Sequence, residues 1–371
     1  MVTGLGYSFP QLLKALIDQN GSDLHITSGS PPRLRLSGSL LKLELPPLTP
    51  SQTQTLCYSV LTEEQKRKFE TDHELDFSFN ITGLARFRAN IYMQRGTISG
   101  AFRVIPLTIK TLKELQMAPI ITDLCQLPRG LILVTGPTGS GKSTTMAAML
   151  DYINANTTGH IVTIEDPIEF IHQHKNCIVN QREIGSDSRA FQTALRSALR
   201  QDPDVIMVGE LRDLETISMA LTAAETGHLV IGTLHTNSAV STLTRIVDVF
   251  PSNQQSQIRT QLSFTLKAVL SQILVPMRQD GRAMAMEIMV LNQAIENMIR
   301  EDKLHNVYSA IQTGQATTGM QTMNQSLFDL ARHGKISKEI ALSKSSDVDE
   351  LEQMFYKNSM SQGRGKPGRI A

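Results

Sequence analysis

The amino-acid sequence predicts an α/β fold built on a parallel sheet, preceded by a small α+β domain and followed by C-terminal helices. Four short, uninterrupted apolar runs alternate with segments of helical spacing, a pattern typical of parallel strands covered on both faces. Before these runs, residues 85–105 alternate apolar and polar side chains, as a half-buried antiparallel hairpin does. Beyond Phe250 and Pro251 the spacing becomes helical. The four predicted parallel strands are residues 131–134, 161–164, 205–208 and 229–234.

Residues 1–105 are expected to form the α+β domain. Apolar residues at helical spacing predict helices here, and short apolar runs beside turn residues predict strands. The predicted helices are residues 12–17 and 51–69, and the predicted strands are residues 33–36, 41–45, 85–94 and 98–105, with a turn at Arg95 and Gly96. Residues 106–118 are expected to be a linker to the next domain.

The parallel-sheet core is expected to span residues 119–290. Within it, a long helix is predicted over residues 258–275, where Pro276 ends the apolar pattern. Residues 291–358 are expected to form a C-terminal helical region, with helices near residues 292–301 and 324–333. Residues 359–371 carry Gly, Pro, Lys and Arg with almost no apolar content, which predicts a disordered tail.

Composition favours an ordinary globular protein. Hydrophobic residues make up 40% and charged residues 19% of the 371-residue chain. The 36 basic and 35 acidic residues give a net charge of +1, which offers no overall attraction for nucleic acid. Because no run of about 18 apolar residues occurs, we expect a cytoplasmic protein that is not inserted in the membrane. The cysteines, Cys57, Cys125 and Cys177, are few and far apart, which predicts reduced structural thiols.

Residues 136–143, Gly-Pro-Thr-Gly-Ser-Gly-Lys-Ser, form a complete Walker A phosphate loop directly after the first parallel strand. The glycines allow backbone N–H groups to turn toward phosphates, Lys142 can reach the β and γ oxygens, and Ser143 is placed to bind Mg²⁺. The helix that follows points its positive N-terminus at the same anions. The predicted nucleotide-binding residues are Gly136, Pro137, Thr138, Gly139, Ser140, Gly141, Lys142, Ser143 and Thr144.

The other parallel strands also end in polar side chains, which an open parallel sheet gathers at one edge. Glu210 follows the third strand in the Walker B position and is expected to hold the metal through water. Glu165 and Glu169 follow the second strand, and either carboxylate could orient or deprotonate the attacking water. The alternative for these acids is that they are solvated loop groups or charges at helix N-termini.

Two pairs of histidines invite a metal interpretation. His228 and His235 flank the fourth strand, and seven extended steps would put them roughly 23 Å apart on opposite faces, too far to share a metal. His235 lies at the catalytic edge, where it is expected to sense the γ-phosphate, whereas His228 needs a structural or intersubunit explanation. His172 and His174 are expected to be a surface pair on one strand face rather than metal ligands.

Arginines collect on the predicted hairpin of the α+β domain. Arg88, Arg95 and Arg103 either form a solvated basic face or reach a nucleotide bound between domains or subunits. In the second case an arginine finger contributes about 10³ to 10⁵ in rate. Arg196 and Arg200, one helical turn apart, present the same choice.

Three of these motifs resemble those of the secretion and pilus ATPases. Thr-Ile-Glu-Asp-Pro-Ile-Glu at residues 163–169 is similar to their Asp box, and Asp-Pro-Asp-Val-Ile-Met-Val-Gly-Glu at residues 202–210 is similar to their Walker B motif. Residues 226–235, Thr-Gly-His-Leu-Val-Ile-Gly-Thr-Leu-His, resemble their His box. Further matches at residues 22–26, 294–301 and 318–325 extend the resemblance over nearly the whole chain.

The resemblance implies a PAS-like N-terminal domain, a RecA-like core and a homohexameric ring that binds ATP and Mg²⁺ between the two domains. It implies that Glu169 is the catalytic carboxylate, that Glu210 is the Walker B residue, and that His228 and His235 are the His-box pair. Arg88, Arg95 and Arg103 match the family's N-terminal arginines through a looser motif. The implied activity is ATP hydrolysis coupled to mechanical work. The implied partners are the pilus machinery and its platform protein at the cytoplasmic face of the inner membrane.

The assembly and type II secretion branch usually adds a four-cysteine zinc module and a longer N-terminal region. Neither occurs in this sequence, which favours the retraction branch and twitching motility. One departure is Glu296, where the family pattern has Arg in Ala-Ile-Arg-Asn. The alternatives are an accessory ATPase of the same branch, a secretion or assembly motor, and an interaction protein with negligible ATP turnover. A nucleic-acid translocase is disfavoured by the near-neutral charge and the absence of Trp.

Overall fold

The computed structural model describes residues 7–36, 38–105, 108–279 and 281–363, which divide into two compact units. The first unit contains the described residues up to Thr108 together with Glu169–Ile171, and the second contains the rest. The division at Thr108 falls inside the segment expected to be a linker.

The described part of the first unit contains a six-stranded antiparallel sheet with the spatial order β3-β2-β1-β6-β5-β4. Its strands are β1 (Asp23–Ile26), β2 (Arg33–Leu36), β3 (Ser39–Lys42), β4 (Glu74–Ile81), β5 (Ala85–Gln94) and β6 (Thr97–Ile105). Its helices are α1 (Phe9–Asp18), α2 (Pro50–Tyr58) and α3 (Glu63–Asp72). The core lies between α1 and the sheet, where the ring of Phe9 meets that of Phe102 edge-on at 4.8 Å.

The hairpin of β5 and β6 lies where the apolar-polar alternation predicts it, and β2 has the predicted bounds. The single helix predicted over residues 51–69 is wrong, because the chain forms two helices there. The hydroxyl of Thr62 accepts the N–H of Gln65 at 3.2 Å and starts a new helix. The strand predicted at residues 41–45 lies slightly earlier, at Ser39–Lys42.

The second unit is built on a sheet whose described strands number seven, in the order β13-β12-β7-β11-β10-β8-β9. All neighbouring pairs are parallel except the antiparallel pair of β12 and the edge strand β13. The strands are β7 (Gly130–Thr135), β8 (His160–Glu165), β9 (Ile178–Glu183), β10 (Val205–Val208), β11 (Leu229–Leu234), β12 (Leu266–Pro276) and β13 (Arg282–Val290).

Helices cover both faces of this sheet, each over its own apolar core. One face packs against α4 (Pro119–Leu124) and α5 (Lys142–Asn156), as shown by the buried Ile121 and Met149. The other face packs against α6 (Phe191–Ala198), α7 (Leu214–Glu225), α8 (Ala239–Asp248), α9 (Ser252–Thr265) and α10 (Gln293–Arg300). The four predicted strands are thus parallel neighbours with helices on both sides, which confirms the predicted fold class.

The long helix predicted over residues 258–275 is wrong. Helix α9 ends at Thr265, and the following residues form strand β12 between β7 and β13. The β-branched Val269, Ile273 and Val275 favour extended backbone. Periodicity alone does not separate a buried strand from a buried helix in an apolar run of this length.

The C-terminal helices pack on β12 and β13 around a small core that includes Val275, Met323 and Leu351. After α10 come a 3₁₀ turn (Leu304–Asn306), α11 (Val307–Thr313), α12 (Gln315–Thr318), α13 (Met323–Arg332), α14 (Lys338–Lys344) and α15 (Val348–Gly363). Because α15 continues to Gly363, the tail predicted to start at Ser359 is wrong for its first five residues. The rest of that prediction, residues 364–371, lies outside the described residues.

The three cysteines are buried and free, which confirms the prediction of reduced structural thiols. Burial raises the pKa of the Cys57 and Cys125 thiols to about 12, which keeps them protonated and inert. Among the described helices, none is both long enough and apolar enough to cross a membrane.

Candidate nucleotide-binding site

The parallel strands bring the predicted polar residues to one edge of the sheet. Strands β7, β11, β10 and β8 are consecutive neighbours, so their carboxyl ends lie side by side. The phosphate loop leaves β7, His235 follows β11, and Glu210 lies two residues beyond β10. Glu165 is the last residue of β8. The expectation that these chain segments meet at one edge is therefore confirmed.

The phosphate loop takes a backbone path that only glycine allows at its two ends. Gly136 has φ 139° and Gly141 has φ 89°. A Cβ atom at Gly136 would lie 2.2 Å from the backbone oxygen of Gln272 on β12, so any side chain there would displace the strand. Gly141 is the N-cap of α5, and the loop therefore passes directly into a 15-residue helix.

These residues fit the phosphates of a nucleotide. The N-terminus of α5 presents backbone N–H groups and a partial positive charge to an anion in the loop. The hydroxyl of Ser140 is 3% exposed and has no hydrogen-bond partner, so it is a donor available to a phosphate oxygen. By contrast, the side chains of Pro137 and Thr138 are exposed, and Thr144 is half-buried in the first turn of α5.

Lys142 begins a line of polar contacts across the ends of the strands. Its Nζ lies 2.9 Å from the Gly136 carbonyl oxygen and 3.4 Å from Nδ1 of His235. Nε2 of His235 lies 3.2 Å from Oε1 of Glu210, and the other carboxylate oxygen of Glu210 lies 2.6 Å from Nη2 of Arg212. Because an ammonium can only donate, Nδ1 of His235 accepts, and the proton of a neutral ring belongs on Nε2 facing Glu210.

Glu210 is held in place by the neighbouring strand β11. The hydroxyl of Thr233 on β11 donates to the carbonyl of Gly209 at 2.5 Å, and the N–H of Leu211 donates to the Thr233 carbonyl at 2.9 Å. Because these bonds fix the residues immediately before and after Glu210, they direct its carboxylate toward His235.

The charge balance keeps Glu210 ionised. Burial raises the pKa of its carboxyl group, but the hydrogen bond and charge of Arg212, together with His235, more than offset that effect. The net pKa therefore lies below the ordinary value. Arg212 is 63% exposed and His235 is 47% exposed, so both partners can exchange contacts when a ligand arrives.

The two candidate acids beyond β8 differ in accessibility. The carboxylate of Glu165 is 7% exposed and accepts hydrogen bonds from Thr163 Oγ1 at 2.6 Å and Gln181 Nε2 at 3.2 Å. Glu169 is exposed and belongs to the first compact unit. Of the two, Glu169 is the carboxylate that water reaches, whereas Glu165 connects β8 to β9 through its hydrogen bond with Gln181.

His228 and His235 lie at opposite ends of β11, as their spacing predicts. Nδ1 of His228 lies 2.9 Å from the carbonyl of Ala223 and donates to it, which ties the end of α7 to the start of the strand. The prediction of a surface pair is wrong for His172, which is buried and not on a strand; burial lowers its pKa to about 4. His174 is exposed and accepts the N–H of Val179 at 3.0 Å.

The hairpin arginines lie in two places on the first unit. Arg88 and Arg103 are directly opposite each other on β5 and β6, and Arg95 lies in the turn with φ 49°. Nε of Arg103 forms an ion pair with Asp23 at 2.7 Å. Arg88 and Arg95 are exposed, so their function in catalysis remains a prediction.

Two residues near the loop were missed by sequence reasoning. Arg212, the partner of Glu210, follows it by two positions, and a basic residue so close to a Walker B acid could have been noticed. Gln272 carries no such signal, because the apolar run that contains it also fits a buried helix.

Among the described residues no group of three or more His, Cys, Asp or Glu side chains could hold a metal. A Mg²⁺ ion would therefore depend on Ser143, Glu210, water and phosphate oxygens, as is common for this ion.

A phosphate loop at the edge of a parallel sheet, beside an acid and a histidine, defines a P-loop nucleotide-binding protein. Residues 101–342 match the family described as Type II/IV secretion system protein, and the chain belongs to that family.

Three relatives place the chain within this family. It is 51% identical to the type IV pilus retractation ATPase PilT of Pseudomonas aeruginosa, over 90% of this chain and 97% of that protein. It is 41% identical to the type IV pilus ATPase PilU of the same organism, over 95% and 92%. A crystal structure of the pilus retraction motor PilT with bound ADP superposes with a TM-score of 0.89 at 51% identity, covering 94% of this chain and all of that one.

Proposed function

We propose that this chain is a motor ATPase whose hydrolysis of ATP drives type IV pilus retraction. The observation that carries the proposal is the line from Lys142 through His235 to Glu210 beside the phosphate loop, in a chain that is similar to PilT over nearly its whole length. A mere nucleotide-binding protein needs the loop, but it does not need an ionised acid and a histidine at the position of the γ-phosphate.

In the proposed mechanism the loop and Lys142 bind the β and γ phosphates of ATP. Ser143 and Glu210 would hold a Mg²⁺ ion, and the ion would supply neutralisation of the charge that develops on the transferred phosphoryl group. Glu169 orients the attacking water and accepts its proton.

His235 reports whether the γ-phosphate is present. Its Nδ1 lies 3.4 Å from the ammonium of Lys142, and its Nε2 faces Glu210. When Lys142 turns to the phosphate, Nδ1 of His235 loses its donor. The contacts of His235 then depend on the nucleotide, which is what a motor needs to couple hydrolysis to movement.

We extend the proposal to the assembly. Six copies form a ring at the cytoplasmic face of the inner membrane and act on the pilus platform protein, and Arg88, Arg95 and Arg103 complete the site as arginine fingers. Ring assemblies that mix Lys142→Ala subunits with Arg88→Ala subunits test the last point. Trans action predicts that activity, lost in either variant alone, returns in part in the mixed rings, because one subunit supplies the loop and its neighbour supplies the arginine.

A deletion strain of the source organism tests the proposed function. Loss of pilus retraction and twitching, with surplus surface pili, is the expected phenotype. Complementation by the wild-type gene should restore retraction, and complementation by Lys142→Ala should not. Complete loss of pili would instead identify an assembly motor and contradict the proposal.

The 41% identity to PilU favours one second candidate, an accessory ATPase of the same machinery. In that case the deletion would leave basal retraction intact and reduce it only under load. Supplying PilT to the deletion strain separates the two, because it replaces a retraction motor but not an accessory subunit.

A further inference from the structure

Gln272 is a buried glutamine of strand β12 that lies against the phosphate loop. Its side chain is 1% exposed and makes two hydrogen bonds. Nε2 donates to the carbonyl oxygen of Ser140 at 2.8 Å, and Oε1 accepts the hydroxyl proton of Thr145 at 2.9 Å. One carboxamide thus connects the last part of the loop to the first turn of α5.

The loop also packs closely on the backbone and side chain of Gln272. A Cβ atom on Gly136 would lie 2.2 Å from the Gln272 carbonyl oxygen, and one on Gly141 would lie 3.3 Å from Nε2. The beginning and the end of the loop therefore both contact this one residue. The absence of a side chain at Gly136 is what makes that approach possible.

The strand that carries Gln272 is itself fixed beside β7. Ser271 pairs in register with Thr135, the residue before the loop, and their hydroxyl groups lie 2.8 Å apart. Thr135, Ser271 and Thr145 are buried, so water cannot replace these bonds if one partner is removed. Gln272 is therefore rigid with respect to the loop.

We propose that Gln272 is a positioning residue for the nucleotide: its carboxamide ties the phosphate loop to α5 and so fixes the direction of the N–H groups that receive the phosphates. Ser140 accepts the bond through its carbonyl, which orients the peptide group that continues into Gly141. Thr145 lies in the first turn of the helix, so the two bonds set the angle between loop and helix. This inference rests on the nucleotide site of the proposed function.

The test compares Gln272→Leu with a matched control, Gln321→Leu. Gln321 also donates its side-chain Nε2 to a backbone carbonyl, that of Met286 at 2.8 Å, but it lies away from the phosphate loop. Both variants lose a hydrogen-bonding amide, and both are expected to lower the melting temperature. Only Gln272→Leu should weaken Mg-ADP binding, by about tenfold in Kd, because only that variant frees the loop.

A second variant, Thr145→Val, removes one of the two bonds and keeps the fold if Gln272→Leu fails to fold. It should weaken Mg-ADP binding in the same direction, by about threefold. Wild-type Mg-ADP affinity in Gln272→Leu would overturn the inference. If Gln272→Leu does not fold, wild-type Mg-ADP affinity in Thr145→Val would overturn it instead. Equal weakening of Mg-ADP binding in Gln321→Leu would also overturn it. A wild-type chain that binds Mg-ADP but releases no phosphate would contradict the proposed function alone.

Discussion

Strand β7 carries the phosphate loop between two very different neighbours. On one side β12 presents Ser271 and Gln272, which are neutral, buried and hydrogen-bonded to the loop or its strand. On the other side β11 ends in His235, which is exposed and lies in a line of charged groups with Lys142 and Glu210. We call these the neutral flank and the charged flank.

This difference between the two flanks separates binding of the nucleotide from its hydrolysis. Neutral buried amides and hydroxyls have one stable arrangement, because any broken bond leaves an unpaired polar group. Exposed charged groups lose little when they exchange one partner for another or for water. The neutral flank therefore suits a fixed phosphate cradle, and the charged flank suits groups that change state during hydrolysis.

Lys142→Ala should have the largest effect, because Lys142 is the group that connects the loop to the charged flank. We expect steady-state phosphate release to fall by at least roughly 10²-fold, since the ammonium that stabilises the γ-phosphate is lost. Lys175→Ala is the control, because Lys175 forms a surface ion pair with Asp151 at 2.7 Å. Equal rates of phosphate release in the two variants would show that Lys142 does not belong to the site.

His235→Asn should slow hydrolysis by about 10²-fold while Mg-ADP affinity stays near the wild-type value. The imidazole lies on the charged flank, and in the proposed mechanism it reports on the γ-phosphate, which ADP lacks. The exposed His174 gives a matched control in His174→Asn. Equal losses of Mg-ADP binding and of hydrolysis in His235→Asn would mean that the charged flank also holds the nucleotide.

Arg212→Met should shift the pH dependence of the charged flank. Arg212 is the main group that lowers the pKa of Glu210, so the variant should raise that pKa. The stabilisation that ionised Glu210 contributes is present above its unfolded-state pKa and is lost as pH falls through the lowered native pKa. Without Arg212 this loss, and the acid limb of phosphate release, should begin at a higher pH.

The control for that shift is Arg332→Met, since Arg332 pairs with Asp329 at 3.4 Å on an exposed helix. An acid limb that stays in place in Arg212→Met would show that Arg212 does not set the ionisation of Glu210.

Glu287→Gln should give the smallest effect and tests a buried ionisable group beside the neutral flank. Glu287 pairs with Ser271 across β12 and β13, and its Oε1 accepts the N–H of Ala239 at 2.6 Å. Burial raises its pKa, so its contribution to stability is complete below the unfolded-state pKa and is lost as pH rises through the native value.

The melting temperature of the wild-type chain, relative to Glu287→Gln, should therefore fall as pH rises above the ordinary glutamate pKa of about 4. A difference that stays constant with pH would mean that the pKa of Glu287 is the same in the native and unfolded states. The side-chain amide of the Glu287→Gln variant stays neutral at every pH and provides the reference.

The sequence predicted the charged flank far better than the neutral one. The phosphate loop, Glu210 and His235 follow buried apolar runs, and the order of parallel strands brings such residues together without any knowledge of packing. Gln272 lies in an apolar run that suits a strand or a buried helix equally well, and only the pairing of β12 with β7 and β13 decides between them.

His172 shows the same limit. Nothing in its local sequence distinguishes a surface histidine from a buried one, because its burial depends on residues far away along the chain. Arg212 was overlooked for another reason. Its contact with Glu210 needs a particular turn after β10, and side-chain direction in a turn is not encoded by a simple period.

The most direct measurement is phosphate release and Mg-ADP affinity in Glu210→Gln, a change that keeps the shape of the side chain and removes its charge. If the charged flank carries the chemistry, phosphate release should fall by about 10²-fold or more while Mg-ADP still binds near the wild-type affinity. Near-normal phosphate release in Glu210→Gln would contradict the account.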